Sequence, residues 1–577
     1  GCLLLCLLLA IVGAQAGGEV KPRPPPCQQS LTKVSCRAAG LHSFPEDLPQ
    51  GVKHLELSHN LLQNLSESCL PTLGQLEHLD LRSNLLVAIS GLARLPRLHS
   101  LLLGSNRLHH NYRDNVVAFS ALRGLEVLDL SDNGLESHMV EGFLGSLAAL
   151  RVLHLPGNRL SQLPAGIFQG SPRLSELDLS NSYIMDIEEG ALEVLQELAV
   201  LSLALNSLHC LSSFSLRQLQ VLNLSHNALE LFGWEEGQGP YLLQVLDLSH
   251  NRLLSFPQLP AAHRLVHLNL SHNAITSLDP SSHHPAQFVL HYEEMVSFNA
   301  LLGTAASLTH LAELDLSYNC LQLLPLLFFR AMHSLFTLSV AMNCLQDITM
   351  ELLARDGDED RNGMATWPED AALSVRSMDL HGNAIHTLPC WFFDALPQLE
   401  AIDLSSNSLR PCGADMGGTL GGSSLWAEPC TAFHNIPHLQ HLSLRRNGLT
   451  QLLPHTFSQT PLLSLDLSEN RGLAMPRAAL EGLEHSLQQL RLRGNHMDNS
   501  RAEVPCLNEL RVLDLSGNRL NLLPTGLFCS PLQTLDVSDN ELPALPEQAL
   551  AGWTHSLQAL CLAGNPLHCC GLGWLDA

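Results

Sequence analysis

Beyond its first 16 residues the sequence has no apolar run long enough to span a bilayer, which takes about 20 consecutive apolar residues. It is also poor in cations: 31 Lys and Arg against 56 Asp and Glu leave a net charge of −25. That balance argues against nucleic acid and anionic membrane surfaces as partners, and favours solubility and basic ligands. The short motifs of catalysis are missing as well. There is no P-loop, no H-E-x-x-H, no G-x-S-x-G and no glycine-rich dinucleotide loop. An enzyme is therefore the least expected reading, and no cofactor is implied. The chain has neither a starting Met nor a charged leader segment. It opens on "GCLLLCLLLAIVGAQAGG", an apolar run ending in Ala14-Gln15-Ala16, the small-residue pattern of signal cleavage. Residues 1–16 thus read as an N-terminally incomplete secretory signal, and the rest as entering an oxidising compartment.

What the sequence does contain is self-similarity. "LEVLDLSDNGL" (125–135) returns as "LRVLHLPGNRL" (150–160), "LQVLDLSHNRL" (243–253) and "LRVLDLSGNRL" (510–520). The L-x-x-L-x-L-x-x-N-x-L unit occurs 20 times from Asn60 to Asn565, with Ser182 standing in for the asparagine once. This predicts an α/β leucine-rich-repeat solenoid, a horseshoe with a concave parallel sheet and disulfide caps at both ends. One unit cannot bury its leucines alone, and stacking makes them a continuous core. The asparagine is expected to turn inward and satisfy backbone groups of adjacent coils.

The spacing breaks three times. Asn273 to Asn319 spans 46 residues, and Asn343 to Asn383 and Asn407 to Asn447 each span 40. These stretches read as inserted loops. The expected organisation is an N-terminal cysteine cap at 17–50, repeats at 51–276, an inserted loop at 277–310 and repeats at 311–346. An acidic loop follows at 347–372, then repeats at 373–567 carrying a Cys412–Cys430 loop, then the start of a C-terminal cysteine cap at 568–577. Three sequons, at Asn64, Asn223 and Asn269, fit glycosylation in a secreted chain.

Two further patterns invite a site. His226, His250 and His272 share one position in successive "LSHN" units, where they would form a surface ladder or, less expectedly, hold a metal. Asp80, Asp129, Asp178, Asp247, Asp315, Asp379, Asp403, Asp466, Asp514 and Asp536 fill the middle of L-x-L strands, as repeat consensus or as the lining of a ligand groove.

Of 16 cysteines, Cys2 and Cys6 fall in the signal. Cys27 and Cys36 are expected to bridge in the N-terminal cap, and Cys412 and Cys430 in the inserted loop. Cys569 and Cys570 begin a C-terminal cap whose partners, and an anchor after them, are expected past Ala577. Eight remain: Cys69, Cys210, Cys320, Cys344, Cys390, Cys506, Cys529 and Cys561. Several are expected as buried hydrophobes, the usual fate of an unpaired cysteine. Cys210 and Cys344 differ, because both should face outward on the loop that follows a turn asparagine. Five repeat steps separate them, or six if the insertion hides one, which at roughly 4.8 Å per step is about 24–29 Å. A disulfide needs Cα atoms within about 7 Å. These two cannot bridge each other, and paired outward thiols in a secreted chain suggest intermolecular bonds.

The segment "YIMDIEEGALEVLQELAVLSLALNSLHCLSSFSLRQLQVLNLS", with "PCGADMGG", "AEPCTAF", "LDLSENRGL", "NYRDN" and "SLQALCLAGNPLHCCGLGWL", resembles one family. It is that of GARP (glycoprotein A repetitions predominant) and its paralogue, the negative regulator of reactive oxygen species. The resemblance runs from the N-terminal cap to Ala577. It implies a cell-surface ectodomain that tethers latent transforming growth factor β for integrin-dependent activation. Cys210 and Cys344 would be the positions that bond the two propeptide chains. It also implies one membrane-spanning helix after the C-terminal cap. Cys320 departs from the family pattern as the resemblance gives it. It follows Asn319 as Cys344 follows Asn343, and a rival Cys320–Cys344 bridge would remove one tether. The alternative is a Toll-like pattern-recognition or adhesion ectodomain with no covalent partner, which sequence past Ala577 would distinguish.

Overall fold

The computed structural model describes residues 27–45, 48–65, 73–234, 239–257, 259, 263–278, 308–350, 367–413, 430–546, 552–553 and 555–567. The expectations for the signal at 1–16, for Cys69, for Cys569 and Cys570, and for most of the two loops at 277–310 and 347–372 lie outside them. The chain divides into two compact units, Gly1–Asp178 with Ile187–Glu197, and Leu179–Asp186 with Leu198–Ala577. Repeat spacing does not announce this division.

Both units are leucine-rich-repeat solenoids built on parallel sheets. In the first, strands run from Lys33–Ser35 through His54–Glu56, His78–Asp80, Ser100–Leu102, Val127–Asp129 and Val152–His154 to Glu176–Asp178, each paired in register with the next. Gln28–Gln29 adds an antiparallel strand against Lys33–Ser35, and Cys27–Cys36 closes that hairpin. Two helices, Tyr112–Ser120 and Ser137–Leu144, serve as return segments and pack Phe119 on Phe143 at 4.7 Å between centroids.

In the second unit the ladder runs from Val200–Ser202 to Ala559–Cys561. Its strands are three residues long because only the central residue and the leucine after the strand point inward. Leu246 and Leu248, for example, are fully buried, while Val245 and Asp247 flank them half-exposed. Each such leucine contributes roughly 1.5–3 kcal/mol on burial, and the next coil covers it.

The long spacings hide no rung of the ladder. His267–Asn269 pairs directly with Glu313–Asp315, Thr337–Ser339 with Ser377–Asp379, and Ala401–Asp403 with His441–Ser443. Asn206 to Asn343 is therefore five coils, not six.

The asparagine ladder satisfies the coil turns. Asn251 Nδ2 donates to Leu224 O at 3.0 Å, Leu248 O at 3.0 Å and Ser249 O at 3.1 Å, while its Oδ1 accepts the Leu229 N–H at 2.9 Å. Where Ser182 replaces it, Asn206 Oδ1 of the next coil covers the Ser182 and Ile184 N–H groups.

One histidine ties stability to pH. His263 Nδ1 accepts the Leu265 N–H at 3.2 Å, which requires a neutral ring. Burial first, then the charge of His310, pushes its pKa from 6.5 down to about 4. The unfolded chain thus takes up this proton before the folded one does. The associated stability is complete above pH 6.5, erodes as pH falls toward 4, and levels off after a loss of about 3 kcal/mol. Urea midpoints measured from pH 7 to 4 should fall less steeply in His263→Gln than in the parent. Parallel pH profiles would remove His263 from this role.

Candidate functional site

The described unpaired cysteines are Cys210, Cys320, Cys344, Cys390 and Cys561, and all five are exposed. The expectation that several unpaired cysteines would be buried is corrected, because leucine fills the inward positions and these cysteines fall at outward ones. Cys506 and Cys529, expected as unpaired, are joined instead in a bridge between successive coils, with Cα atoms 5.9 Å apart. Their separation of 23 residues is one repeat length, so the coil spacing itself brings them together. Cys412 and Cys430 also form a bridge.

Cys210 opens a short strand, Cys210–Phe214, where a loop was expected. This strand pairs in parallel with Leu231–Trp234, setting Cys210 opposite Leu231. An aromatic cluster holds it in place. Trp234 packs at 5.4 Å from Phe214, 5.1 Å from Phe232 and 4.8 Å from Tyr241, in edge-on geometry. The thiol is therefore borne on a braced element.

Cys344 lies beside a second small sheet, in which Leu323–Pro325 pairs with Asp347–Thr349. Its N–H donates to Leu321 O at 3.0 Å, and its neighbour Asn343 is locked into the ladder. Cys320 sits at the same place on the preceding coil, its N–H donating to Ile275 O at 2.9 Å. The two thiols are not joined. Five coils at about 4.8 Å place Cys210 and Cys344 about 24 Å apart.

Motif reading missed exposed apolar side chains on the coils from Asn206 to Asn343. Leu205, Leu231, Leu254, Tyr318, Leu323 and Met342 are large hydrophobic side chains left about 41–56% exposed. Leu205, Tyr318 and Met342 share a signal that the sequence does carry, since each precedes a ladder asparagine. Their backbones take the left-handed turn, with φ of 58°, 54° and 52°. That costs about 1–2 kcal/mol for an L-residue and faces the side chain away from the core.

His226, His250 and His272 occupy the same turn position. Their rings stack at 3.9 and 4.0 Å, and Tyr318 extends the stack at 4.1 Å. Burial and the two flanking imidazoles lower the pKa of His250. Ring nitrogens in such a stack do not converge. Among the described residues the ligand atoms that do lie within 4.8 Å belong to Asp379, His381 and Asp403. These are engaged by the fold: Asp379 Oδ1 lies 2.8 Å from His381 Nδ1, and Asp403 Oδ1 accepts the Ser405 N–H.

The strand aspartates act locally too. Asp247 Oδ1 accepts the Ser249 N–H at 2.9 Å, and Asp80, Asp129, Asp315, Asp466, Asp514 and Asp536 make the same turn. Asn223 and Asn269 imitate them, each Oδ1 accepting the N–H of Ser225 or Ser271 at 2.9 and 3.0 Å. Asn64 is exposed. A glycan attaches through Nδ2 and leaves Oδ1 an acceptor, so glycosylation of Asn223 and Asn269 is compatible with the turn. Mass spectrometry of secreted protein should find both modified, obstructing that stretch of the sheet face and directing bulky ligands to the thiol-bearing edge. Two unmodified asparagines would remove that constraint.

Among the described residues no helix is long and apolar enough to cross a membrane. The family description "Leucine rich repeat" matches residues 50–108, 148–208, 437–497 and 508–567, and again at 242–261 and 264–284. Transforming growth factor beta activator LRRC32 of Pongo abelii is 38% identical over 100% of this chain and 87% of its own length. Transforming growth factor beta activator LRRC33 of Danio rerio is 28% identical over 100% of this chain and 86% of its own. Among solved structures, a leucine-rich-repeat protein of Leptospira interrogans overlays with a TM-score of 0.52 at 24% identity, over 81% of this chain and 96% of that one. This last likeness establishes the fold alone.

Proposed function

This chain belongs to the GARP-type family of leucine-rich-repeat transforming growth factor beta activators, and from that premise we propose that it captures latent transforming growth factor β covalently through Cys210 and Cys344. The observation that carries the reading is the pair of exposed thiols, five coils apart, on braced elements, with exposed apolar side chains on their own and intervening coils. A two-fold growth-factor dimer offers one propeptide chain to each thiol. The thiolate of Cys210 or Cys344 attacks one sulfur of a disulfide that includes a propeptide cysteine. A new bond forms between the solenoid and the propeptide, and the displaced sulfur leaves as a thiolate. Leu231 beside Cys210, and Leu323 and Met342 beside Cys344, supply apolar contact for the encounter.

The tether lets integrins pull on the propeptide against a fixed end. In this role the protein is an extracellular, cell-surface binding module rather than a catalyst. Co-expression with the latent growth factor, followed by non-reducing electrophoresis, should give a high-mass band that reductant dissolves. If the two chains co-purify with no reductant-sensitive band, covalent capture is wrong and only docking remains.

A further inference from the structure

Cys320 has no part in the reading above, yet it is an exposed thiol opposite Cys344. Two registers bracket the pair. Asp315 is the ladder partner of Ser339, five residues before Cys320 and Cys344 respectively. Leu323 is the partner of Asp347, three residues after each. The intervening segments are equal in length, and Asn343 Oδ1 stitches them together by accepting the Leu321 N–H at 3.0 Å. The Cys344 N–H returns a bond to Leu321 O at 3.0 Å. Neither coil has a residue of slack between the registers, so the two cysteines face each other across one coil step of about 4.8 Å. A disulfide across one coil step is a geometry this solenoid already uses, in Cys506–Cys529 with Cα atoms 5.9 Å apart.

We propose that Cys320 is the resolving thiol for any mixed disulfide formed at Cys344, making this tether reversible and leaving the one at Cys210 permanent. Cys320 gives up its proton to solvent and its thiolate attacks Sγ of Cys344. The Cys320–Cys344 bond forms as the Cys344–partner bond breaks, and the partner sulfur leaves as a thiolate that takes up a proton. One disulfide is consumed and one is made, so no external oxidant or reductant enters. Among the described residues Cys210 has no such neighbour. Its register partner is Leu231, and the residue four positions after Ser182 on the preceding coil, the equivalent of Cys210 after Asn206, is Asp186. For the growth factor the inference rests on the tethering role. The chemistry does not, because it applies to any disulfide donor.

The test uses 5,5′-dithiobis(2-nitrobenzoate) as that donor on the full chain, with peptide mapping over time. Cys344 should lose its thionitrobenzoate adduct and be recovered linked to Cys320, at a rate independent of protein concentration. Cys210 should keep its adduct. In Cys320→Ser the adduct at Cys344 should persist at least ~100-fold longer, because an aligned intramolecular thiol acts at a high effective concentration. If Cys344 holds its adduct equally long in the parent and in Cys320→Ser, the inference is overturned. If Cys320→Ser is not secreted, the converse variant Cys344→Ser decides: Cys320 should then keep its own adduct, whereas loss of it at the parental rate excludes this pairing. Failure to capture the growth factor would overturn the tether and leave these outcomes untouched.

Discussion

Replacing both Cys210 and Cys344 by alanine should abolish the reductant-sensitive complex with latent transforming growth factor β while leaving the solenoid folded. Neither thiol belongs to the leucine core and both are exposed, so each substitution should change stability by less than about 0.5 kcal/mol. Either single variant removes one bond and little contact area. Non-covalent docking should therefore survive, and the complex should run as a half-linked species with one propeptide chain released under denaturing, non-reducing conditions. The two singles should differ in one respect. The link left by Cys344→Ala, at Cys210, should withstand prolonged incubation, whereas the link left by Cys210→Ala should decay unless Cys320 is also replaced. A double variant that still forms a reducible complex would mean that another cysteine, such as the exposed Cys390 or Cys561, makes the bond, and the two-tether reading would fail.

Asn319→Ala should cost about 3 kcal/mol and loosen the turn that carries Cys320. Asn319 is 6% exposed and makes four bonds. Its Nδ2 donates to Leu270 O at 3.0 Å, Leu316 O at 3.0 Å and Ser317 O at 3.2 Å, and its Oδ1 accepts the Ile275 N–H at 3.0 Å. Alanine leaves buried backbone groups of two successive coils unpaired, at about 1–3 kcal/mol for each group that water cannot reach. A solenoid coil contacts chiefly its neighbours, so the damage should stay local. Hydrogen exchange at Ile275 should accelerate by about 100-fold, the equivalent of roughly 3 kcal/mol, while amides near Leu513 keep their protection. An equal loss of protection along the whole unit would show that its coils unfold as a single cooperative block. Unchanged exchange at Ile275 would show that water replaces the amide.

The ladder, the turn asparagines and the outward position of Cys210 and Cys344 were legible in the sequence. Each follows from a short-range rule repeated many times: a leucine at fixed offsets must face inward, and what stands between must not. The same rule covers "LDLS", where the aspartate closes its own turn two residues on, so its recurrence marks geometry rather than a groove. Pairing across the chain was less accessible. Composition could suggest Cys27–Cys36 and Cys412–Cys430, which close short segments, but it left Cys506 and Cys529 among the unpaired. Their union depends on which residues of successive coils lie opposite one another, and repeats of unequal length hide that offset.

The sequence by itself determined the repeat fold and the outward placement of Cys210 and Cys344, because periodicity and residue type suffice for these. Only the tertiary structure decided that five coils separate Cys210 from Cys344, since direct pairing of His267–Asn269 with Glu313–Asp315 shows that the insertion adds no rung. It alone set Leu231 beside Cys210. The sequence had already set Cys320 one repeat from Cys344, and the structure added the matched registers on either side of them. The physical reason is common to all three. A solenoid brings residues together by stacking coils, and the offset between coils is fixed by hydrogen-bond register, a property of the folded ladder that no single repeat contains.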